Sequence, residues 1–392
     1  MTFYLLIFIL LFLNALFDFV QVSSSFRKFS FLISLFFLFF IVGFRFQTGV
    51  DWPAYESILN KTADLSEIFL PYGYQRIFSS LDFGFCLLNS IVKTIGGGIQ
   101  VVFAIIAFTN YFFLYFGLSF FTKKYLNTSL LLYFLLFFFQ YDMSGIRQGL
   151  AMSIFIFSLR YVVNRNIIKY IGCLFLAFSI HWTALILIPV YFLYNIPRRL
   201  SLSIFLFSFS VFMLKIKWFK SFVIAFTVNN YFLMNKISHY TTNKTVAVEK
   251  SMTIYTIFSI LTIGSLFVFM YLLKHKEMPK VERNLIIALL TFQILTFFGM
   301  YELDAVASRF SNYFLVGNIL SIIYIINYKR IVYHKLVYFI IFVIMLFIPN
   351  LPFILGFTST VAYQPYQNFI AYKLFGGEDN GYNRVEEHRL TH

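Results

Sequence analysis

The sequence predicts an all-α, polytopic integral membrane protein, and three observations carry that prediction. Of its 392 residues 60% are hydrophobic and 12% are charged, about half the charged share of an average soluble domain. Phe alone fills 57 positions, more apolar surface than a soluble fold has polar groups to cover. Runs of the length that a hydrocarbon layer of roughly 30 Å demands recur along nearly the whole chain. They are apolar on every face, whereas a membrane β-barrel shows alternating segments of about ten residues.

In chain order the apolar runs fall at 2–22, 29–46, 99–121, 128–141, 146–163, 166–180, 182–197, 200–216, 252–273, 285–300, 310–327 and 336–349. They predict about 12 transmembrane helices, within about 2 either way. No basic residue precedes the first run and no small-residue cleavage pattern follows it, so it reads as a retained helix. The stretch 83–95 is too short to span and reads as a re-entrant or interfacial helix ended by Gly96, Gly97 and Gly98. The stretch 167–195 reads as two helices meeting near His181 and Trp182, the alternative being one long tilted helix that would invert every later loop. Residues 1–372 then form a single polytopic membrane domain with long outer segments at 47–82 and 217–251, followed by a polar tail, 373–392. No repeat of fixed period and no Pro-rich or Ser-rich linker divides it.

The net charge of +15 does not mark a nucleic-acid partner, because the basic residues sit in short clusters between apolar runs, as topology signals do. With Arg27 and Lys28 inside, the other inner loops hold Lys123/Lys124, Arg160/Arg165/Lys169, Arg198/Arg199, Lys274/Lys276/Lys280/Arg283 and Lys329/Arg330/Lys335, against Glu277 and Glu282. Both termini then face outward. Cys86 and Cys173 lie far apart in apolar stretches, which suggests neither a disulfide framework nor a zinc site. His388 and His392 have a metal-like i, i+4 spacing but no third ligand in view, and Gly96–Gly98 lack the Lys and Ser/Thr of a phosphate loop. No metal and no cofactor is expected.

The remaining polar residues fall on one side of this topology. Arg45 and Asp51 lie at the outer end of the second helix, and Asp142, Arg147 and Gln148 occupy the turn QYDMSGIRQG. His181 lies in FLAFSIHWTALI, and Glu302, Asp304 and Arg309 lie in MYELDAVASRF. Ionisable groups at membrane depth are costly and face an aqueous or protein interior. Each has a bland reading beside a functional one. The arginines are boundary charges or phosphate ligands, since the guanidinium fork suits phosphate. Asp51 is a helix N-cap before Pro53 or a proton acceptor. Trp52 and Tyr55 are interfacial aromatics or platforms for sugar rings. His181 is a structural histidine or a proton carrier. Glu302 and Asp304, spaced i, i+2, would not share a helix face.

GVDWPAYESIL after an Arg-ended helix, DFGFCLLNSI, SGIRQGLAMSIFIFSLRYV, AFSIHWTALI, SRFSNYFL and YQPYQNF occur in that order. Together, over roughly residues 1–372, they resemble the EpsG-like family of bacterial membrane proteins, grouped with Wzy-type polymerases of O-antigen, capsule and exopolysaccharide. Where that family often shows Glu-Pro-Gly-Phe, this chain has Asp82, Phe83, Gly84 and Phe85.

The resemblance implies a glycosyltransferase of the bacterial cytoplasmic membrane with its site facing outward. A growing glycan would leave undecaprenyl pyrophosphate for the terminal sugar of an incoming lipid-linked repeat unit. Its partners would be that lipid-linked oligosaccharide, membrane lipid and a chain-length regulator. The chemistry fits the residues above. Arg45, Arg147 and Arg309 would stabilise the charge that grows on the pyrophosphate. Asp51 or His181 would take the acceptor proton, and Trp52, Tyr55, Gln148 and Tyr313 would complete the binding set. A flippase for the same lipid-linked oligosaccharide and a membrane acyltransferase remain open readings of the same residues.

Overall fold

The computed structural model describes residues 3–67, 70, 82–227, 249–272, 279–328, 334–356, 358–377 and 379–390. Lys274, Lys276, Glu277, Lys329, Arg330 and His392 lie outside the described residues, as do 68–69, 71–81 and 228–248 of the two outer segments. Helices α1 (Phe3–Leu16), α2 (Ser24–Gly43), α3 (Trp52–Lys61), α4 (Phe83–Thr94) and α5 (Ile99–Phe121) come first. Helix α6 (Leu126–Tyr133) runs on as a π-helical stretch, Phe134–Asp142, before α7 (Ile146–Val163) and α8 (Ile167–Ile180). A 3₁₀ stretch, Trp182–Leu187, leads into α9 (Ile188–Leu193), then α10 (Arg198–Met213), α11 (Phe219–Thr227), α12 (Ile254–Leu272) and α13 (Lys280–Gly299). Helix α14 (Asp304–Ser311) passes through a 3₁₀ turn to α15 (Val316–Asn327). The chain closes with α16 (Lys335–Leu355), α17 (Phe369–Phe375) and α18 (Gly381–Leu390).

The all-helical, membrane-spanning class holds. Among the described residues seven helical segments are long and apolar enough to cross a membrane: α2, α5, α7, α12, α13, Asp304–Asn327 and α16. The other expected crossings are helical but shorter or broken: the run at 200–216 is the 16-residue α10, and the rest are interrupted as follows. The first run stops at Leu16, because Asp18 in the next turn accepts the Thr128 amide at 2.7 Å and so is tied to the first turn of α6. The run at 128–141 changes to π-helical geometry, where Asn350 donates to the Leu135 carbonyl at 2.8 Å. The stretch 167–195 breaks at His181, as its sequence predicts. The expected short helix near 83–95 is α4.

The chain falls into two compact units. The first holds Met1–Tyr161, Ile168–Leu185 and Leu346–His392, and the second holds Val162–Ile167 and Ile186–Met345. In the first unit α1 packs on α6 and α2 on α5. Gly43 lets α2 close on α5, for a Cβ there would lie 3.2 Å from the Ala104 Cα. In the second unit α13 is the central element, packed by α10, α12 and α15 and largely buried, whereas only a third of α12 is buried.

Candidate functional site

The loop after α2 is stitched down on three sides. Phe46 donates its amide to the Gln367 carbonyl at 2.8 Å, and Phe369 returns one to Phe44 at 2.7 Å. Gly49 donates to the Ala362 carbonyl at 2.8 Å. The Val50 amide donates to Ser144 Oγ at 3.0 Å, and that hydroxyl lies 2.8 Å from the Tyr363 hydroxyl. Gly49 has φ of 102°, and a Cβ there would sit 2.0 Å from the Met143 carbonyl oxygen. Only glycine fits this crossing.

Arg45 is turned into the protein and is 1% exposed. Its Nη1 donates to the Val42 carbonyl at 2.7 Å and its Nε to that of Thr48 at 3.2 Å, while its guanidinium lies 4.0 Å from the Phe103 ring centroid. Burial pulls its pKa down to about 10, so it stays charged at neutral pH. It shares a small cavity with Asn110 and Asp142. Asp142 in turn accepts from Tyr133 (2.7 Å), Tyr111 (2.8 Å) and Asn110 (3.0 Å). These groups brace the loop from inside.

Arg147 has a different setting. Gly149 presses the start of α7 onto the π-helical stretch, since a Cβ there would lie 2.8 Å from the Tyr141 carbonyl. The Arg147 side chain keeps 25% exposure, with Nη1 3.9 Å from Asp82 Oδ2. Its guanidinium lies 5.4 Å from the Phe85 ring centroid and 6.0 Å from that of Tyr55. Burial, and next the Asp51 carboxylate, raises the Tyr55 pKa, so that phenol stays a neutral donor.

Asp51 and Asp82 both stand at helix N-cap positions, of α3 and α4, yet neither side chain caps its own helix. Capping is the ordinary task of Asp there. Asp51 is half-buried. Asp82 instead spends Oδ1 on the Trp182 amide, at 3.2 Å. Gly84 permits this approach, because a Cβ there would lie 2.5 Å from Ser179 Oγ. His181, 6% exposed, lies beside that contact with Nδ1 2.5 Å from Thr183 Oγ1. The first unit therefore brings Asp51, Tyr55, Asp82 and Arg147 together, with His181 adjacent to the Asp82 contact.

The other expected site residues are placed as follows. Gln148 is buried at the start of α7. Trp52 is 2% exposed, its ring 4.7 Å from that of Tyr382. Arg309, half-buried in α14, and Tyr313, fully buried, belong to the second unit. There Glu302 caps α11, accepting the Trp218 and Phe219 amides at 2.6 Å each. Asp304 pairs with Lys250 at 2.5 Å. Among the described residues no cluster of His, Cys, Asp and Glu is set to hold a metal. Asp82, Ser144 and Tyr363 are not among the expected site residues, although each opens a motif that carries the family resemblance: DFGFCLLNSI, SGIRQG and YQPYQNF.

The order of these motifs along one membrane chain is the pattern of a known family, whose profile matches residues 28–373. The chain belongs to the EpsG family. Searches of curated proteins and of solved structures return no match. EpsG-family membership makes the chain, in general terms, a polymerase-type enzyme of polysaccharide biosynthesis in a bacterial membrane. The EpsG match contains every expected site residue, and α18 lies beyond its end.

Proposed function

We propose that the protein is a glycan polymerase that transfers a growing chain from undecaprenyl pyrophosphate to an incoming lipid-linked repeat unit on the outer face of the cytoplasmic membrane. The observation that carries this reading is the half-open Arg147 guanidinium, held between Asp82 and the ring of Tyr55 beside the Asp51 carboxylate. A fixed cation next to a carboxylate is what displacement of a pyrophosphate by a hydroxyl calls for.

In the reaction the bond between the anomeric carbon and the pyrophosphate oxygen breaks, and its electron pair leaves with the pyrophosphate. Arg147 neutralises the growing negative charge at low reorganisation cost, because Asp82 already orients it. The acceptor hydroxyl oxygen bonds to the anomeric carbon, and its proton passes to a base. Asp51 is the favoured base, since its carboxylate is half-buried and spends no bond on its helix N-terminus. His181 is the second choice, because its ring is buried and engaged with Thr183. Arg45 has the role of holding the loop. An apolar groove takes the prenyl chain, and Arg309 and Tyr313, in the second unit, have no assigned role in this proposal.

The test is reconstitution of the purified protein in liposomes with lipid-linked repeat units. Chain lengthening that falls away in Arg147→Ala supports the reading. Transfer between leaflets without lengthening would make the protein a flippase, and an acyl mass increment would make it an acyltransferase. Either result overturns the proposal.

A further inference from the structure

Two helices of the second unit begin side by side and run in the same direction. Asn284 hydrogen-bonds Asn195, Ser201 Oγ lies 2.5 Å from Thr291 Oγ1, and Gly299 packs near Ser208. The N-termini of α10 and α13 therefore lie at one end. Each follows a proline, Pro197 or Pro279, with no side chain capping it. First-turn amides carry positive partial charge and need acceptors.

Each of these first turns nevertheless carries an arginine. Arg198 donates to the Tyr271 carbonyl, at 3.4 Å, near the end of α12. Arg283 is 3% exposed, its Nε is buried without a hydrogen-bond partner, and its Nη2 reaches only Asn284 Oδ1, at 3.4 Å. Arg198 acts on it as a like charge. Glu282, the acid of the same turn, forms no ion pair with Arg283 among the described residues. Among the described residues no carboxylate pairs with this buried guanidinium, which lies beside a second one at the positive ends of two helices, an arrangement that favours an anion.

We propose that Arg283, with Arg198 and the first turns of α10 and α13, forms a binding site for a phosphate group, carried either by an anionic phospholipid headgroup or as free phosphate. The guanidinium fork and helix N-termini both favour phosphate oxygens. Lys280 and Arg199 add positive charge at the same helix starts. Leu200 and Leu272, 51% and 70% exposed, offer apolar surface there for an acyl chain. Basic pockets between membrane helices bind lipid headgroups in this way. The site lies in the second unit and is independent of the proposed polymerase chemistry.

The full chain, purified in an uncharged detergent, is titrated with phosphatidylglycerol, phosphatidylcholine or inorganic phosphate and followed by native mass spectrometry and thermal unfolding. The expected result is that phosphatidylglycerol, not the zwitterionic lipid, stays bound and raises the unfolding temperature. Arg283→Met should weaken that binding roughly tenfold, yet unfold at or above the wild-type temperature without ligand. If Arg283→Met does not fold, Arg283→Lys, which keeps the charge but loses the fork, should show a smaller loss. Protection by inorganic phosphate that depends on Arg283 assigns the site to free phosphate, and protection by lipid alone assigns it to a headgroup. Equal retention of both lipids by wild type with no phosphate effect, or wild-type affinity in the Arg283 variants, overturns the proposal.

Discussion

Asp82 accepts the backbone amide of Trp182 across 100 residues of chain, at 3.2 Å. Its other oxygen faces Arg147 at 3.9 Å. One carboxylate thus links the start of α4, the break after α8 and the first turn of α7, which makes Asp82 a positioning residue for the Arg147 cation.

Asp82→Asn keeps an oxygen for the Trp182 amide but removes the charge that orients Arg147. Polymerisation should fall about tenfold, mainly in kcat, with the protein still folded; the loss corresponds to one charge-assisted contact of about 1.4 kcal/mol. Glycan length and initial rates in proteoliposomes check this. A loss confined to KM, or no loss, would remove Asp82 from this role.

Arg147→Lys preserves the positive charge and loses the planar fork. If that fork holds the departing pyrophosphate, the rate should drop roughly 10²-fold, as when a preorganised donor is taken from a developing anion. Rates near wild type would mean that charge alone suffices.

Gly49→Ala places a methyl group 2.0 Å from the Met143 carbonyl at a φ of 102°. The backbone must move, at a cost of about 1–3 kcal/mol. The variant should lose activity and unfold at lower temperature. Gly98→Ala, with nothing within 4 Å, is the control and should leave both unchanged.

Arg384 ties α18 to the loop, donating to the carbonyls of Gln47 and Pro365 at 2.8 Å each. Arg384→Ala should release α18 and expose Trp52. Trp52 fluorescence, read with the other two tryptophans changed to Phe, should shift to the red. Unchanged emission would mean that α18 holds without Arg384.

The same contact gives a pH dependence. Tyr382 donates to Glu56, and that hydrogen bond, with burial, pushes its pKa up to about 12. A phenol raised above its usual 10 contributes docking that is fully present below pH 10 and lost as pH rises through about 12. Trp52 emission in the same two-tryptophan-free background should follow that window, and Tyr382→Phe should abolish the alkaline step.

Much of the fold was legible because a bilayer imposes one rule on every crossing: enough consecutive apolar residues to satisfy the backbone internally and cover the hydrocarbon layer. Runs such as 99–121 and 146–163 match α5 and α7 almost end to end. Helix count was less legible, since Asp18 ending α1 and the π-helical Phe134–Asp142 both depend on partners distant in the chain. The bland reading of Asp51 as a cap was equally plausible from GVDWP, and only the side-chain geometry separates it from that task.

By itself the sequence determined the all-α membrane class, the family, and Arg147 as a cation in a turn where lipid could not host it. Tertiary structure alone decided that Arg45, equally prominent in the sequence, is buried among backbone carbonyls, and that Asp82 partners Arg147. The physical reason is range. Hydrophobic length and local motifs are written in neighbouring residues, whereas the direction of a guanidinium depends on carbonyls, rings and carboxylates that only the folded chain brings within a few ångströms.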